Sequence, residues 1–274
     1  MVEEQAAGHR PSLRAFFPDV VPPGALQGRV RDYLASLGAL GLAVPTGPTI
    51  TALADRDWGE AWREHFRPLA VGRGLLVAPP WDVPAAPDRI VLIIEPGRAF
   101  GTGHHGSTAG CLELLEREIE RRRRGPEGRE CAPVTAIDLG TGSGILAIAA
   151  ARLGVRRILA VDDDPDAVTA AGANAERNGV AARIDCRLGD AAKLDAQPAP
   201  LIIANILAAA HMRLAARYRR LLAPGGTLLL GGILNSEAED VRGGVRAHGL
   251  APADALSIDG WTALGFRAPV HDLA

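Results

Sequence analysis

The sequence has few of the features that mark secreted, membrane or nucleic-acid-binding proteins. Only three cysteines occur among its 274 residues, and Cys111, Cys131 and Cys186 have the spacing of neither a disulfide framework nor a zinc site. The acidic start carries no signal-peptide core, and no apolar run approaches the length of a membrane span. A net charge of −2 gives no general attraction to nucleic acid. We therefore expect a cytoplasmic protein with reduced thiols, no membrane anchor, no metal site and no direct DNA binding.

A glycine-rich stretch at residues 137–145 (IDLGTGSGI) organises the chain. A short apolar run precedes it, and a helical pattern over residues 145–153 follows it. Gly140, Gly142 and Gly144 suit a tight turn because glycine adopts positive φ and lets a ligand approach the backbone. The sequence therefore predicts a strand, a turn and a helix whose N-terminus offers N–H groups to a polar ligand.

The spacing of the turn indicates which ligand it suits. A dinucleotide fingerprint has its third glycine five positions after the first, but Ile145 occupies that position here. The next predicted strand, over residues 157–162, ends in Asp162. This carboxylate stands where a ribose diol would bind. We expect an adenosine-bearing ligand without a pyrophosphate, of which S-adenosylmethionine is the commonest; the alternative is an ordinary strand-to-helix turn.

A polar loop, residues 95–108, precedes a predicted helix over residues 109–119. Ser107 and Thr108 are candidates for the helix N-cap, since hydroxyl side chains are favoured there. Thr108 has a second interpretation, in which its hydroxyl donates to the carboxylate of the cofactor. His104 and His105 are adjacent in this loop and have no third ligand nearby in sequence, so we expect no metal there.

Four polar residues are predicted at the carboxyl ends of parallel strands. Residues 201–204 form a continuous apolar run typical of a strand covered on both faces, and Asn205 follows it. Ligands of open α/β sheets bind at this edge. The expected group is Asp138, Asp162, Asp190 and Asn205. A hairpin over residues 255–267 completes a mostly parallel sheet with one antiparallel strand.

Arginines occupy residues 121–124 at the end of the predicted helix. A solvated helix C-terminus is the default interpretation, because cations are favoured at that end of the helix dipole. Contact with ribosomal RNA is the alternative.

Several motifs together resemble the family of ribosomal protein L11 methyltransferases. They are residues 100–105 (FGTGHH), 138–144 (DLGTGSG), 162–165 (DDDP), 174–179 (NAERNG) and 204–207 (ANIL). The glycine motif alone is typical of the broad class of Rossmann-like methyltransferases. The first and last motifs narrow the resemblance to this one family. The resemblance runs from about Trp58 to the end of the chain.

The resemblance implies both a cofactor site and a substrate. Thr108, Gly140, Asp162 and Asn205 fall on the positions that hold S-adenosylmethionine, and Gly142 belongs to the same turn. Enzymes of the family methylate lysine ε-amino groups and the N-terminal α-amino group of ribosomal protein L11, often to the trimethyl state. We expect the same activity here, in a monomer.

The expected organisation has three parts. Residues 1–56, with a predicted helix over residues 25–40, form a small α+β domain that the resemblance implies captures the ribosomal protein. Residues 57–88 contain a linker helix and entry strands, and residues 89–274 form the α/β methyltransferase domain.

For the reaction, Asn205 is expected to position the amine through its carbonyl oxygens, since a protonated lysine has no lone pair for transfer. His105 either relays the proton or bonds to backbone. Three alternatives stay open: a related enzyme with another protein substrate, an enzyme for a small-molecule amine, and a non-catalytic assembly factor that binds the cofactor.

Overall fold

The computed structural model describes residues 23–41, 66–96, 106–123 and 134–270. The chain divides into two compact units, Met1–Trp58 and Gly59–Ala274. Within the first unit the described part, residues 23–41, contains helix α1, Pro23–Ala39, which begins two residues before the predicted helix and ends one residue earlier. The other predicted elements of this unit, and the helix predicted after it, lie outside the described residues.

The second unit contains two sheets with helices around them. Its strands are β1 (Leu69–Val71), β2 (Leu75–Ala78), β3 (Ile90–Ile93), β4 (Thr135–Leu139), β5 (Arg157–Asp162), β6 (Ile184–Leu188), β7 (Ala199–Asn205), β8 (Leu222–Leu234), β9 (Ala251–Ile258) and β10 (Trp261–Arg267). Its α-helices are α2 (Gly106–Arg123), α3 (Ile145–Arg152), α4 (Pro165–Arg177), α5 (Ala208–Leu221) and α6 (Ala238–Arg246). Short 3₁₀ turns at Ala181–Arg183 and Asn235–Glu237 precede β6 and α6.

The large sheet has the strand order β6-β5-β4-β7-β8-β10-β9. Strands β6, β5, β4, β7 and β8 are mutually parallel, whereas β10 runs antiparallel to both of its neighbours, β8 and β9. This confirms the predicted α/β fold, mostly parallel with one antiparallel strand. The carboxyl ends of β4, β5 and β7 therefore meet at one edge, as predicted.

Alternate residues of the central strands enter two separate hydrophobic cores, because successive side chains of a strand point to opposite faces. On β7, Leu201 and Ile203 pack with α2 and α3, while Ile202 and Ala204 pack with α5 and α6. All four are completely buried. Both faces are covered, which explains why this segment reads as an uninterrupted apolar run.

The smaller sheet, of order β1-β2-β3, packs against α2. The carboxylate of Glu116 in α2 accepts the backbone N–H groups of Arg73 at 2.8 Å and Gly74 at 2.6 Å, and so closes the β1–β2 turn. These contacts fix helix α2 within the second unit.

The arginines at the end of α2 do not form a simple solvated terminus. Glu118, only 3% exposed at its side chain, pairs with Arg121, Arg122 and Arg267 and accepts the hydroxyl of Thr227 at 2.6 Å. Burial would raise the pKa of Glu118, but hydrogen bonds from these partners lower it to about 2. The expected solvated end holds for Arg121 and Arg123, which are exposed, but not for Arg122. The cluster around Glu118 ties α2 to the amino-terminal edge of the sheet.

Candidate functional site

The glycine turn closes over the end of β5. The N–H groups of Gly140 and Thr141 both donate to the carbonyl of Val161, at 2.8 and 3.1 Å. Gly140 and Gly142 have φ angles of 69° and 54°, a region that favours glycine. A Cβ on Gly140 would also collide with the side chain of Ile206 beyond β7. The turn thus requires glycine for both conformation and space, as the sequence predicts.

Asp162 connects the turn to the end of its strand. One carboxylate oxygen accepts the N–H of Gly142 at 2.8 Å, and the other accepts the N–H of Asp164 at 3.1 Å. The side chain is half-buried. Because a carboxylate oxygen has room for two hydrogen bonds, each oxygen keeps acceptor capacity for a ligand at the sheet edge.

Asp138 lies completely buried beneath the turn. Its Oδ2 accepts the hydroxyl of Thr141 at 2.7 Å and the N–H of Ala147 at 3.1 Å. Its Oδ1 is buried and has no hydrogen-bond partner among the described residues. Burial raises the pKa of Asp138 to about 7, against the two hydrogen bonds and with a further contribution from Asp162. The carboxyl group supports the turn from within and does not reach the surface.

Thr108 and Asn205 meet across 97 residues of sequence. The side-chain amide of Asn205 donates to the hydroxyl of Thr108 at 3.1 Å, and the Asn205 Oδ1 is buried without a partner in the described part of the chain. Thr108 is 1% exposed and lies inside helix α2, which begins at Gly106. The prediction that Ser107 and Thr108 form an N-cap is therefore wrong, because the helix starts earlier and Thr108 bonds to β7.

Two asparagines, Asn174 in the last turns of α4 and Asn178 at its C-cap, bind the segment that precedes this site, and sequence reasoning gave them no structural role. The side-chain amide of Asn178 makes both backbone hydrogen bonds that a neighbouring strand would make to Ile93. It accepts the N–H of Ile93 at 2.9 Å and donates to its carbonyl at 2.7 Å. Asn174 accepts the N–H of Glu95 at 3.1 Å and donates to the carbonyl of Ser143 at 2.9 Å. Asn174 thereby ties the end of the smaller sheet to the glycine turn. Their spacing of four residues on one helix face was the available signal.

Other predicted features contribute less or lie elsewhere. Asp190 follows β6 at the same edge but is exposed and bonds locally to the N–H of Ala192. His104 and His105 lie outside the described residues. Among the described residues, no group of three or more His, Cys, Asp or Glu side chains could hold a metal ion. The described helices include none long and apolar enough to cross a bilayer.

The residues at this edge fit an adenosine-bearing cofactor with a charged amino-acid end. Asp162 keeps acceptor capacity for a diol, and the turn exposes backbone without side chains. The Thr108 hydroxyl accepts from Asn205 and makes no donated hydrogen bond to another described residue. The buried Oδ1 of Asn205 is an acceptor that requires a donor. A sheet of this order, with this turn and this acidic strand end, defines the class of Rossmann-like S-adenosylmethionine-dependent methyltransferases.

Comparison with known proteins places the chain within that class. The family described as ribosomal protein L11 methyltransferase (PrmA) matches residues 12–269, and the chain belongs to it. This match begins well before Trp58, so the resemblance also covers most of the N-terminal unit.

Individual relatives agree with the family match. The ribosomal protein L11 methyltransferase of Trichlorobacter lovleyi is 37% identical, over 92% of this chain and 86% of that protein. The protein of the same name from Geobacter metallireducens is 39% identical, over 94% of this chain and 82% of that protein. A crystal structure of ribosomal protein L11 methylase from Lactobacillus delbrueckii subsp. bulgaricus is 28% identical, with a TM-score of 0.64, and covers 74% of this chain and all of that one.

Proposed function

We propose that the protein transfers methyl groups from S-adenosylmethionine to lysine ε-amino groups and the N-terminal α-amino group of ribosomal protein L11. The observation that carries the proposal is the Asn205–Thr108 hydrogen bond at the carboxyl edge of the sheet, beside the glycine turn. It joins the ANIL motif to the helix that follows the FGTGHH loop. Family membership over residues 12–269 supports the substrate assignment.

In this proposal each side chain at the edge has a separate task toward the cofactor. Asp162 accepts from the ribose hydroxyls with the capacity left on its carboxylate oxygens. Thr108 donates its hydroxyl to the carboxylate of the methionine part. Gly140 and Gly142 keep the turn free of side chains, so that the ligand lies against backbone. When bound, S-adenosylmethionine supplies a methyl group already activated by its sulfonium.

The remaining task is to present a neutral amine in line with that methyl group. Lysine has a pKa near 10.4, and an apolar surrounding lowers the pKa of an amine because it disfavours the charged form. Leu207, 72% exposed two residues after Asn205, offers an apolar surface to the aliphatic part of a lysine. Asn205 accepts amine N–H groups through its side-chain or backbone carbonyl and so directs the lone pair. We assign it positioning of the reacting amine, without a strong general-base role.

The N-terminal unit, residues 1–58, is proposed to select the protein substrate. A variant that lacks residues 1–58 should lose action on the ribosomal protein. Retained action would instead favour an enzyme for which this unit is unnecessary. Since ribosomal proteins are made in the cytosol, we also propose a cytoplasmic location, and a monomer that sedimentation would test.

The direct test is incubation of the purified full chain with methyl-labelled S-adenosylmethionine and undermethylated ribosomal proteins. We expect label on ribosomal protein L11, with lysine and N-terminal sites identified by mass spectrometry. Label on another protein would reassign the substrate. Cofactor binding without any label would support the alternative of a non-catalytic assembly factor.

A further inference from the structure

A histidine that the proposed reaction does not use lies directly behind Asn205. His211, on helix α5, is completely buried, and so is Tyr218 two turns later on the same helix face. The Nε2 of His211 lies 2.7 Å from the carbonyl oxygen of Gly231, and the Nδ1 lies 2.7 Å from the hydroxyl of Tyr218. The imidazole thus bridges helix α5 and strand β8.

The chemistry of the partners fixes the tautomer of this imidazole. A carbonyl oxygen can only accept, so Nε2 must carry hydrogen and donate to Gly231. In the neutral ring Nδ1 is then an acceptor, and the Tyr218 hydroxyl donates to it. Burial lowers the pKa of His211 to about 4, against hydrogen bonds to the backbone of Gly231 and Ile206, so the ring is neutral at physiological pH. Tyr218 therefore donates to His211, and His211 donates to the carbonyl oxygen of Gly231, so the hydrogen bonds run in one direction.

The Asn205 side chain packs against the backbone of the same residue, Gly231. The two residues are register partners in the parallel β7–β8 pair. A Cβ built on Gly231 would be 2.9 Å from the Oδ1 of Asn205 and 3.2 Å from the carbonyl oxygen of Ser107 on α2, and would collide with Cys111. Helix α2 covers this side of the sheet, while α5 with His211 covers the other. Gly231 is held between the site on one face and the histidine on the other.

His211 also contacts the segment that connects Asn205, at the end of β7, to helix α5. The backbone N–H of His211 donates to the carbonyl of Leu207 at 3.2 Å, in the first turn of the helix. One residue therefore holds both the strand beside Asn205 and the turn after it.

We propose that His211 is a positioning residue for Asn205, which acts by donating from Nε2 to the Gly231 carbonyl under the orientation imposed by Tyr218. The inference rests on the proposed function only in the choice of Asn205 as the group that meets the amine. Displacement of a reacting group by a fraction of an ångström lowers turnover more than it lowers binding of the rest of the ligand.

The test compares three substitutions in the full chain. His211→Leu removes the donor, Tyr218→Phe removes only the hydroxyl that orients the ring, and His211→Gln keeps an N–H donor of similar reach. His248→Leu, which removes an exposed histidine after helix α6, is the matched control. We measure kcat and KM for methylation of ribosomal protein L11, the Kd for S-adenosylhomocysteine, and the melting temperature.

We expect His211→Leu to lower kcat roughly tenfold, because the free energy of one hydrogen bond corresponds to about that change in rate. The KM for the protein substrate should change less than about twofold. Tyr218→Phe should lower kcat about twofold to threefold, and His211→Gln should recover most of the wild-type kcat. A kcat of His211→Leu equal to that of wild type, or equal losses in His211→Gln and His211→Leu at equal melting temperature, would overturn the proposal.

A readout independent of turnover separates this proposal from the proposed function. Nitrogen-15 NMR of the ring should show Nε2 protonated and Nδ1 unprotonated in wild type between pH 6 and 8. An Nδ1-protonated or titrating His211 would contradict the proposal even if methylation is observed. If wild type methylates nothing, the proposed function fails and with it the role of His211 in turnover, whereas the NMR result separately decides the hydrogen-bonded geometry of the imidazole.

Discussion

The two edges of the large sheet differ in whether their buried polar side chains have hydrogen-bond partners. At the amino-terminal edge, Glu118 is surrounded by Arg121, Arg122, Arg267 and the hydroxyl of Thr227. At the carboxyl edge, the Oδ1 atoms of Asp138 and Asn205 are buried without partners among the described residues. Helix α2 reaches both edges, since it carries Thr108 near its start and Glu118 near its end.

This difference indicates where the molecule is stabilised and where it binds. Buried polar groups are normally satisfied by the protein, because an unmade hydrogen bond costs free energy. The Glu118 cluster at the amino-terminal edge follows that rule, although the Nε of Arg217, near the end of α5, is buried without a partner among the described residues. The carboxyl edge departs from it at the place where ligands of α/β sheets bind. Four predictions follow from this contrast, from the largest effect to the smallest.

Glu118→Ala should destabilise the protein by roughly 3 kcal/mol, because it removes the buried counter-ion of the half-buried Arg122 and Arg267. Chemical denaturation measures this change in the free energy of unfolding. Glu239→Ala, which breaks an exposed pair with Arg242, should cost less than about 1 kcal/mol. Equal losses in the two variants would remove the distinction between buried and exposed pairs. Below its melting temperature, Glu118→Ala should keep wild-type affinity for S-adenosylhomocysteine.

Asn205→Ala should instead lose activity and keep its stability. We expect kcat to fall about 100-fold or more, since the amine loses the group that orients it, while the melting temperature stays within about 3 °C of wild type. Steady-state kinetics measures the change in kcat, and thermal unfolding measures the melting temperature. Turnover near the wild-type value would remove Asn205 from the mechanism.

Asp162→Ala should weaken S-adenosylhomocysteine binding about tenfold or more, because charge-assisted hydrogen bonds to the ribose are lost. Isothermal titration calorimetry measures this Kd. Asp190→Ala is the control at the same edge, since Asp190 is exposed and bonds locally, and it should change the Kd less than about twofold. An unchanged Kd for Asp162→Ala would refute the ribose assignment.

The stability of the amino-terminal edge should depend on pH only in acid. The folded pKa of Glu118 lies near 2, below its ordinary value of 4.5, so its contribution is complete above pH 4.5 and disappears as the pH falls toward 2. Unfolding free energies measured from pH 7 to pH 2 should therefore decline less steeply in Glu118→Gln than in wild type. Parallel pH profiles would mean that the carboxylate titrates normally in the folded state.

Local patterns predicted much of the carboxyl edge from the sequence. The glycine turn, Asp162 and Asn205 each follow from short-range signals, namely turn residues and the ends of apolar strands. The hydrogen bond between Thr108 and Asn205 could not be predicted, because it joins segments 97 residues apart and depends on where α2 begins.

The amino-terminal edge was less predictable for the same reason. Glu118 meets Thr227 and Arg267, which are 109 and 149 residues away, and no local pattern relates them. Strand β8, Leu222–Leu234, begins before a Pro-Gly-Gly sequence, which as a local pattern indicates a turn. The early residues pair because the Gly225 N–H donates to the carbonyl of Pro269 and the Ala268 N–H donates to Gly226.

The most direct test of this contrast is a crystal structure of the full chain with S-adenosylhomocysteine. We predict the ligand at the carboxyl edge, its ribose hydroxyls within hydrogen-bonding distance of Asp162 and its carboxylate at the hydroxyl of Thr108. The Glu118 cluster should be unchanged. A ligand bound elsewhere, or bound at this edge without contact to Asp162 and Thr108, would contradict the account.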